Sequence, residues 1–371
     1  MRSQSINIRA ILLLVLFVPI TNIYSQGFSK KELPDWFFAV SPTNQIGSIG
    51  YAHKYSADYE ENTLHLAKLN AIDALKHYIN EREFISRKRD VFAMVMGSTE
   101  EMTFSSGTLR ARGQFEGESM YFYNMVFEPN QPFQAATPKP KKVSSSCDFQ
   151  KCSPSWLCSQ VQQGLTGFLG ISFRASSPGR QLEISKKNSL EIMQYSLGVD
   201  IVGKEEYYKL NSSIIKVNYR RKDFDLKKKS PTTEAYLYTK EQCFRGDTLF
   251  SWQVSNEIPP YKNAKNLGWI NNPQQDGVFG AVGFSRKDYT GFFSRQLRHA
   301  YEDGIASLAK AYESKITVEE THTGSTERGR KSIIDIEVEF QKKFKPKILG
   351  VFVDEKEQMF VWVAADESLK P

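Results

Sequence analysis

The clearest alternation of apolar and polar positions lies late in the chain, at residues 332–340 (SIIDIEVEF). A period of two predicts a strand with one buried and one wet face. A different pattern occurs three times. Residues 45–54 (QIGSIGYAHK), 165–174 (LTGFLGISFR) and 278–287 (VFGAVGFSRK) are short apolar runs broken by two glycines. The pairs are Gly47 and Gly50, Gly167 and Gly170, Gly280 and Gly283. Trp36, Trp156 and Trp269 each stand 11 residues before the first glycine of their pair. Glycine inside a strand loses packing, so the pairs predict close approach of another backbone. The apolar cluster at Trp36, Phe37 and Phe38 is expected to pack under the first glycine strand.

An amphipathic helix is predicted behind each glycine run, over about 57–79, 179–197 and 292–314. In the first, small or apolar residues fall 31, 35, 38, 39 and 42 positions after the tryptophan: Ala67, Ala71, Ala74, Leu75 and Tyr78. The third has Ala300, Gly304, Ser307, Leu308 and Ala311 at the same offsets. The second matches after a two-residue shortening, with Ser185, Ser189, Ile192, Met193 and Ser196. Further strands are predicted at 90–97, 108–115 and 120–128, at 213–220, 234–239 and 248–254, and at 315–321, 348–354 and 359–364. The expected organisation is a signal peptide at 1–25, a first unit at 26–130, a Pro-, Ser- and Lys-rich linker at 131–150, and further units at 151–258 and 259–371. The fold class is α+β: three repeated units, each one helix packed on a small antiparallel sheet. One such layer leaves the other sheet face open, so the units should pack on one another or on a partner.

The residues that carry this pattern resemble the bacterial twenty-kilodalton surface lipoprotein family (Lpp-twenty-like). Unit one is most similar, in PDWF, IGSIGYA and LHLAKLNAIDALKHYI. Unit three comes next, with GWI, VFGAVGFS and RHAYEDGIASLAKAY, and unit two is degenerate. The resemblance implies a strand–helix–strand–strand fold similar to dodecin and an outer-envelope or surface location. It brings no catalytic residues.

The N-terminus supplies its own evidence of export. Arg2 and Arg9 flank the start of an 11-residue apolar core at 10–20, and Ser25 offers a small residue at the expected cut. That core is short for a bilayer span, which takes roughly 20 residues. No cysteine lies near the cut to accept a lipid. Removing two arginines lowers the net charge from +7 to +5. So modest an excess, on an exported chain, excludes nucleic acid as the expected partner. It leaves at most peripheral attraction to anionic envelope surfaces.

Cys147, Cys152, Cys158 and Cys243 form an even set, which outside the cytoplasm predicts disulfides. Four cysteines allow three connectivities, and spacing does not choose among them. No metal site is expected, because the gaps of five and six residues differ from zinc-ribbon spacing and no histidine lies nearby. Gly277, Gly280 and Gly283 superficially suggest a phosphate loop. Their place inside a strand and the absence of a Walker lysine argue against a nucleotide cofactor. Neither G-x-S-x-G nor H-E-x-x-H occurs. Asp335, Glu337 and Glu339 read as the wet face of their strand, and the aromatic strand at 120–127 reads as packing surface. The expectation is a non-enzymatic, exported envelope protein, periplasmic or outer-membrane-associated. It would act as a structural element or adaptor through envelope proteins or self-association. A glycan- or peptidoglycan-binding protein is the alternative.

Overall fold

The computed structural model describes residues 33–54, 60–131, 144–211, 216–228, 237–255, 258–261, 266–312, 314–325 and 329–365. The signal segment and most of the linker lie outside these residues, as does the first half of the strand expected at 234–239. Among the described residues the chain is α+β, with six helices and four small antiparallel sheets.

The first part contains α1 (Asp35–Phe38), β1 (Ile46–His53), α2 (Glu60–Asp73), α3 (Glu81–Ser86), α4 (Lys88–Val95), β2 (Glu101–Phe104), β3 (Gly107–Glu116) and β4 (Met120–Pro129). Sheet one has the order β1-β4-β3-β2. The second part has a 3-10 turn at Ser155–Leu157, then β5 (Val161–Gln162), β6 (Leu165–Ser172), α5 (Pro178–Leu197), β7 (Val199–Asn211), β8 (Lys216–Lys228), β9 (Tyr238–Arg245) and β10 (Thr248–Ser255). Sheet two is β5-β6-β10-β9. The third part has a 3-10 turn at Leu267–Ile270, then β11 (Gly280–Ser285), α6 (Phe293–Tyr312), β12 (Ser314–Ser325), β13 (Gly329–Phe344), β14 (Pro346–Val353) and β15 (Met359–Ala365). Sheet three is β11-β15-β14. The hairpins β7–β8 and β12–β13 leave their parts of the chain and join as sheet four, order β12-β13-β7-β8.

Of the strand expected at 90–97, residues 90–95 belong to helix α4 and the last two form the turn that ends it. Val91, Met94 and Val95 are its buried residues, and spacings of three and four suit a helix face. The helix after the first glycine strand stops at Asp73, and hydrogen-bonded turns continue to Tyr78. Strand β7 has no counterpart among the expected strands. Its charged residues hide its alternation, yet Glu205 is buried and meets Lys310 at 2.6 Å. On the opposite face of sheet four Glu337 meets Lys204 at 2.8 Å, while Asp335 and Glu339 are exposed, as a wet face requires. The aromatic strand is core: Met120, Phe122 and Phe127 are buried.

Candidate functional site

The three glycine strands have matching neighbours. Each pairs antiparallel with the last strand of its part: β1 with β4, β6 with β10, β11 with β15. The second glycine of each pair lies under the helix. A Cβ on Gly50 would overlap Ala67 O and the Ala71 backbone, and one on Gly283 would overlap Ala300 O and the Gly304 backbone. On Gly170 a Cβ would come within 2.5 Å of Ser185 O. The first glycine serves the opposite face. Gly47 lies against Val40 O, Gly167 against the Trp252 indole, and Gly280 against the Trp362 indole and Pro273 O. Val40, Gln160 and Pro273 each stand four residues after Trp36, Trp156 and Trp269. Their carbonyls accept from Asn124 Nδ2 at 3.5 Å, Trp252 Nε1 at 3.4 Å and Trp362 Nε1 at 2.9 Å.

The tryptophans differ in where they pack. Trp36 packs on Gly113 of β3, not under β1. Trp156 donates from Nε1 to Glu241 of β9 at 2.9 Å. Trp269 is fully buried and stacks on Trp362 with rings 6.0 Å apart. Gly113, Glu241 and Gly350 adjoin an extra residue in the strand beside the last one, namely Arg112, Lys240 and Leu349. Such a bulge bends its strand and re-aims its side chains. All four cysteines are paired, Cys147 with Cys243 and Cys152 with Cys158.

The sheet faces turned away from the helices differ in what covers them. On sheet one, Tyr51, Phe122 and Phe115 lie side by side. Phe122 is fully buried, with Phe37 edge-on at 5.8 Å and Phe37 stacked on Phe244 of β9 at 6.3 Å. Tyr51 lies against Gly179 in the first turn of α5 and donates to Glu183. Ser41 N donates to Lys240 O at 3.2 Å, and Gln242 Nε2 donates to Phe37 O. On sheet two, Phe250 is fully buried between Phe149 and Phe293, the first residue of α6. Val351 N of β14 donates to Cys158 O at 3.0 Å.

On sheet three the register places Phe284, Phe360 and Phe352 where sheet one has Tyr51, Phe122 and Phe115. Phe284 is 38 % exposed, and Phe352 and Phe360 are half-buried. The Trp269–Trp362 stack covers one end of this face and leaves the phenylalanine end open. Arg286 and Lys287 are exposed beside it, and Lys287 meets Glu357 at 2.6 Å. That contact holds the Glu357 carboxyl below its ordinary range. Neighbouring aromatic side chains at a water-facing surface are typical of contact sites.

A second concave feature crosses sheet four. Its volume is about 700 Å³, and Lys204, Glu206, Arg221, Asp223, Glu339 and Gln341 contribute to its lining. Among the described residues, no three His, Cys, Asp or Glu side chains gather closely enough to hold a metal ion. No described helix is long and apolar enough to cross a membrane.

The seam between sheets one and two contains a titratable lysine. Lys240 is 4 % exposed and donates to Pro42 O at 2.7 Å. Burial lowers its pKa from 10.5 to about 8. Between these values the unfolded chain binds more protons than the folded one, so stability rises with pH. The expected gain between pH 8 and pH 10 is about 2 kcal/mol. As pH approaches 10 the buried Tyr195, Tyr238, Tyr261 and Tyr301, held above their ordinary pKa mainly by burial, oppose this gain. Urea unfolding across this range should therefore show a less favourable pH slope for Lys240→Met than for the wild type, by about 2 kcal/mol in all. Equal slopes in the two proteins would refute the assignment.

No protein-family model, no curated protein and no solved structure matches the chain.

Proposed function

We propose that this protein is a non-catalytic adaptor of the bacterial envelope, built from three units of one dodecin-like construction. The open phenylalanine face of sheet three carries the reading. The corresponding faces of sheets one and two are closed by the next part of the chain, whereas the third retains Phe284, Phe352 and Phe360 at the surface. The shared neighbours of Gly50, Gly170 and Gly283, and the bulges at Arg112, Lys240 and Leu349, support one repeated construction. Two disulfides and the N-terminal apolar segment support export, to a periplasmic or outer-membrane-associated location.

A photo-crosslinking residue at Phe284 in the native cell tests this. The expected product is a discrete protein adduct, lost when Phe360 is replaced by Asp. An empty lane, with the protein present and folded, would remove the basis for an adaptor role.

The groove on sheet four favours a second reading, as a glycan-binding protein. Acidic, basic and amide side chains together are suited to sugar hydroxyls. Retention on purified cell-wall material, lost in an Asp223→Ala, Gln341→Ala variant, would support that reading over the adaptor.

A further inference from the structure

We infer that the protein associates with itself head to tail, the phenylalanine face of sheet three receiving β3 of a second copy. The inference rests on the three-unit reading and names the partner of the open face. Its basis is a seam made twice within the chain. In both places the sheet face turned away from its helix receives two elements of the next part. One is the strand with the bulge, which meets the segment lying ahead of the glycine strand, β9 at Phe37 and Ser41 and β14 at Cys158; the other is the first turn of the next helix. These are heterologous contacts, joining different surfaces. Repeated between molecules, such a contact gives rings or filaments. The described chain has one such receiving face open, on sheet three. It also has one bulged strand, β3, that no preceding part covers.

The side chains on β3 can be matched to those already used. Gln242 lies opposite Ser251, Val351 opposite Val361 and Gln114 opposite Tyr123, and these three partners pair in turn with Gly170, Gly283 and Gly50. Gln114 therefore stands at the position of Gln242. Gln242 donates to the carbonyl of Phe37, one residue after Trp36. Gln114 is exposed. In the second copy's seam it would meet the carbonyl of Ile270, one residue after Trp269. The match differs in two ways, the first being that β9 and β14 stand at the edge of their sheets while β3 pairs with β2 over residues 107–110 and is an edge only beyond it. The second is that Glu116 occupies the position of Phe244, so the aromatic stack on Phe37 has no counterpart. A carboxylate at that point makes the contact weaker than the internal seams, so association should be reversible and concentration-dependent.

Sedimentation of the purified full chain with its disulfides intact tests this. The wild type should grow in mass with concentration. Phe284→Asp damages the receiving face and Gln114→Arg damages the donating strand, so each variant alone should remain monomeric. Mixed, they should give a 1:1 dimer that grows no further, since each contributes one intact surface. Glu116→Phe should strengthen association at least tenfold by restoring the stack. Circular dichroism and unfolding midpoints near wild type would show that the variants are folded. A wild type that stays monomeric at its highest soluble concentration would overturn the inference. So would a Gln114→Arg variant that still dimerises, since that outcome requires two like faces to meet. The adaptor reading stands apart from this result: a monomer that still yields a different crosslinked envelope protein at Phe284 leaves it intact.

Discussion

Gly283→Val is expected to destabilise the chain by at least about 4 kcal/mol, placing it among the most damaging single substitutions. The new Cβ would overlap Ala300 O and the Gly304 backbone, which belong to a helix and cannot rotate aside as a side chain can. Helix and strand must separate, and the apolar contacts beneath Ala300, Ile305 and Leu308, all fully buried, loosen with them. Gly164→Ala provides the contrast. Gly164 has φ +72° but no heavy atom within 4 Å of a built Cβ, so only backbone strain of about 1 kcal/mol is expected. Urea unfolding of both variants separates the two effects. Wild-type stability in Gly283→Val would mean that the helix does not lie on β11.

Removing the Cys147–Cys243 bridge by a double Ser substitution is expected to have a similar effect, about 4 to 5 kcal/mol. The bridge closes a sequence separation of 96 residues, so its loss releases a long loop in the unfolded chain. Cys152–Cys158 spans a separation of 6, and the same argument gives only about 2 kcal/mol. The long bridge ties the segment before Trp156 to β9, whose Phe244 and Gln242 meet Phe37 of α1 over the first sheet. Its loss should therefore also loosen the seam between sheets one and two. The readouts are unfolding midpoints under non-reducing conditions and proteolysis at that seam. A larger loss from the short bridge would contradict the loop-length argument.

Much of this arrangement is legible in the chain itself. The glycine spacing and the small-residue stripes announce strands with helices lying close on them, because both signals are local. Residues 90–97 mislead because a run of apolar residues fits either a strand or one face of a short helix, and periodicity over eight residues barely separates them. Strand β7 escapes because its apolar residues thin out around Lys204, Glu205 and Glu206. The burial of Glu205 depends on Lys310, distant in sequence and close only after folding. The candidate face shows the same limit. Phe284 is visible as an apolar strand residue. Its exposure, set against the burial of Phe122 and Phe250, is decided by whether another part of the chain packs over its sheet.

Sheet four also determines how the chain carries load. The β13–β7 ladder runs from Ser332–Asn211 to Phe344–Val199, joining the second and third parts by a long row of backbone hydrogen bonds. Pulling those parts apart along the strands would strain many bonds of that row together. The first part has α3 and α4 where the others have hairpins, and its seam consists of side-chain packing and a few hydrogen bonds around β9. Under tension the molecule is thus a stiff pair with a detachable end, and the end that yields first carries β3.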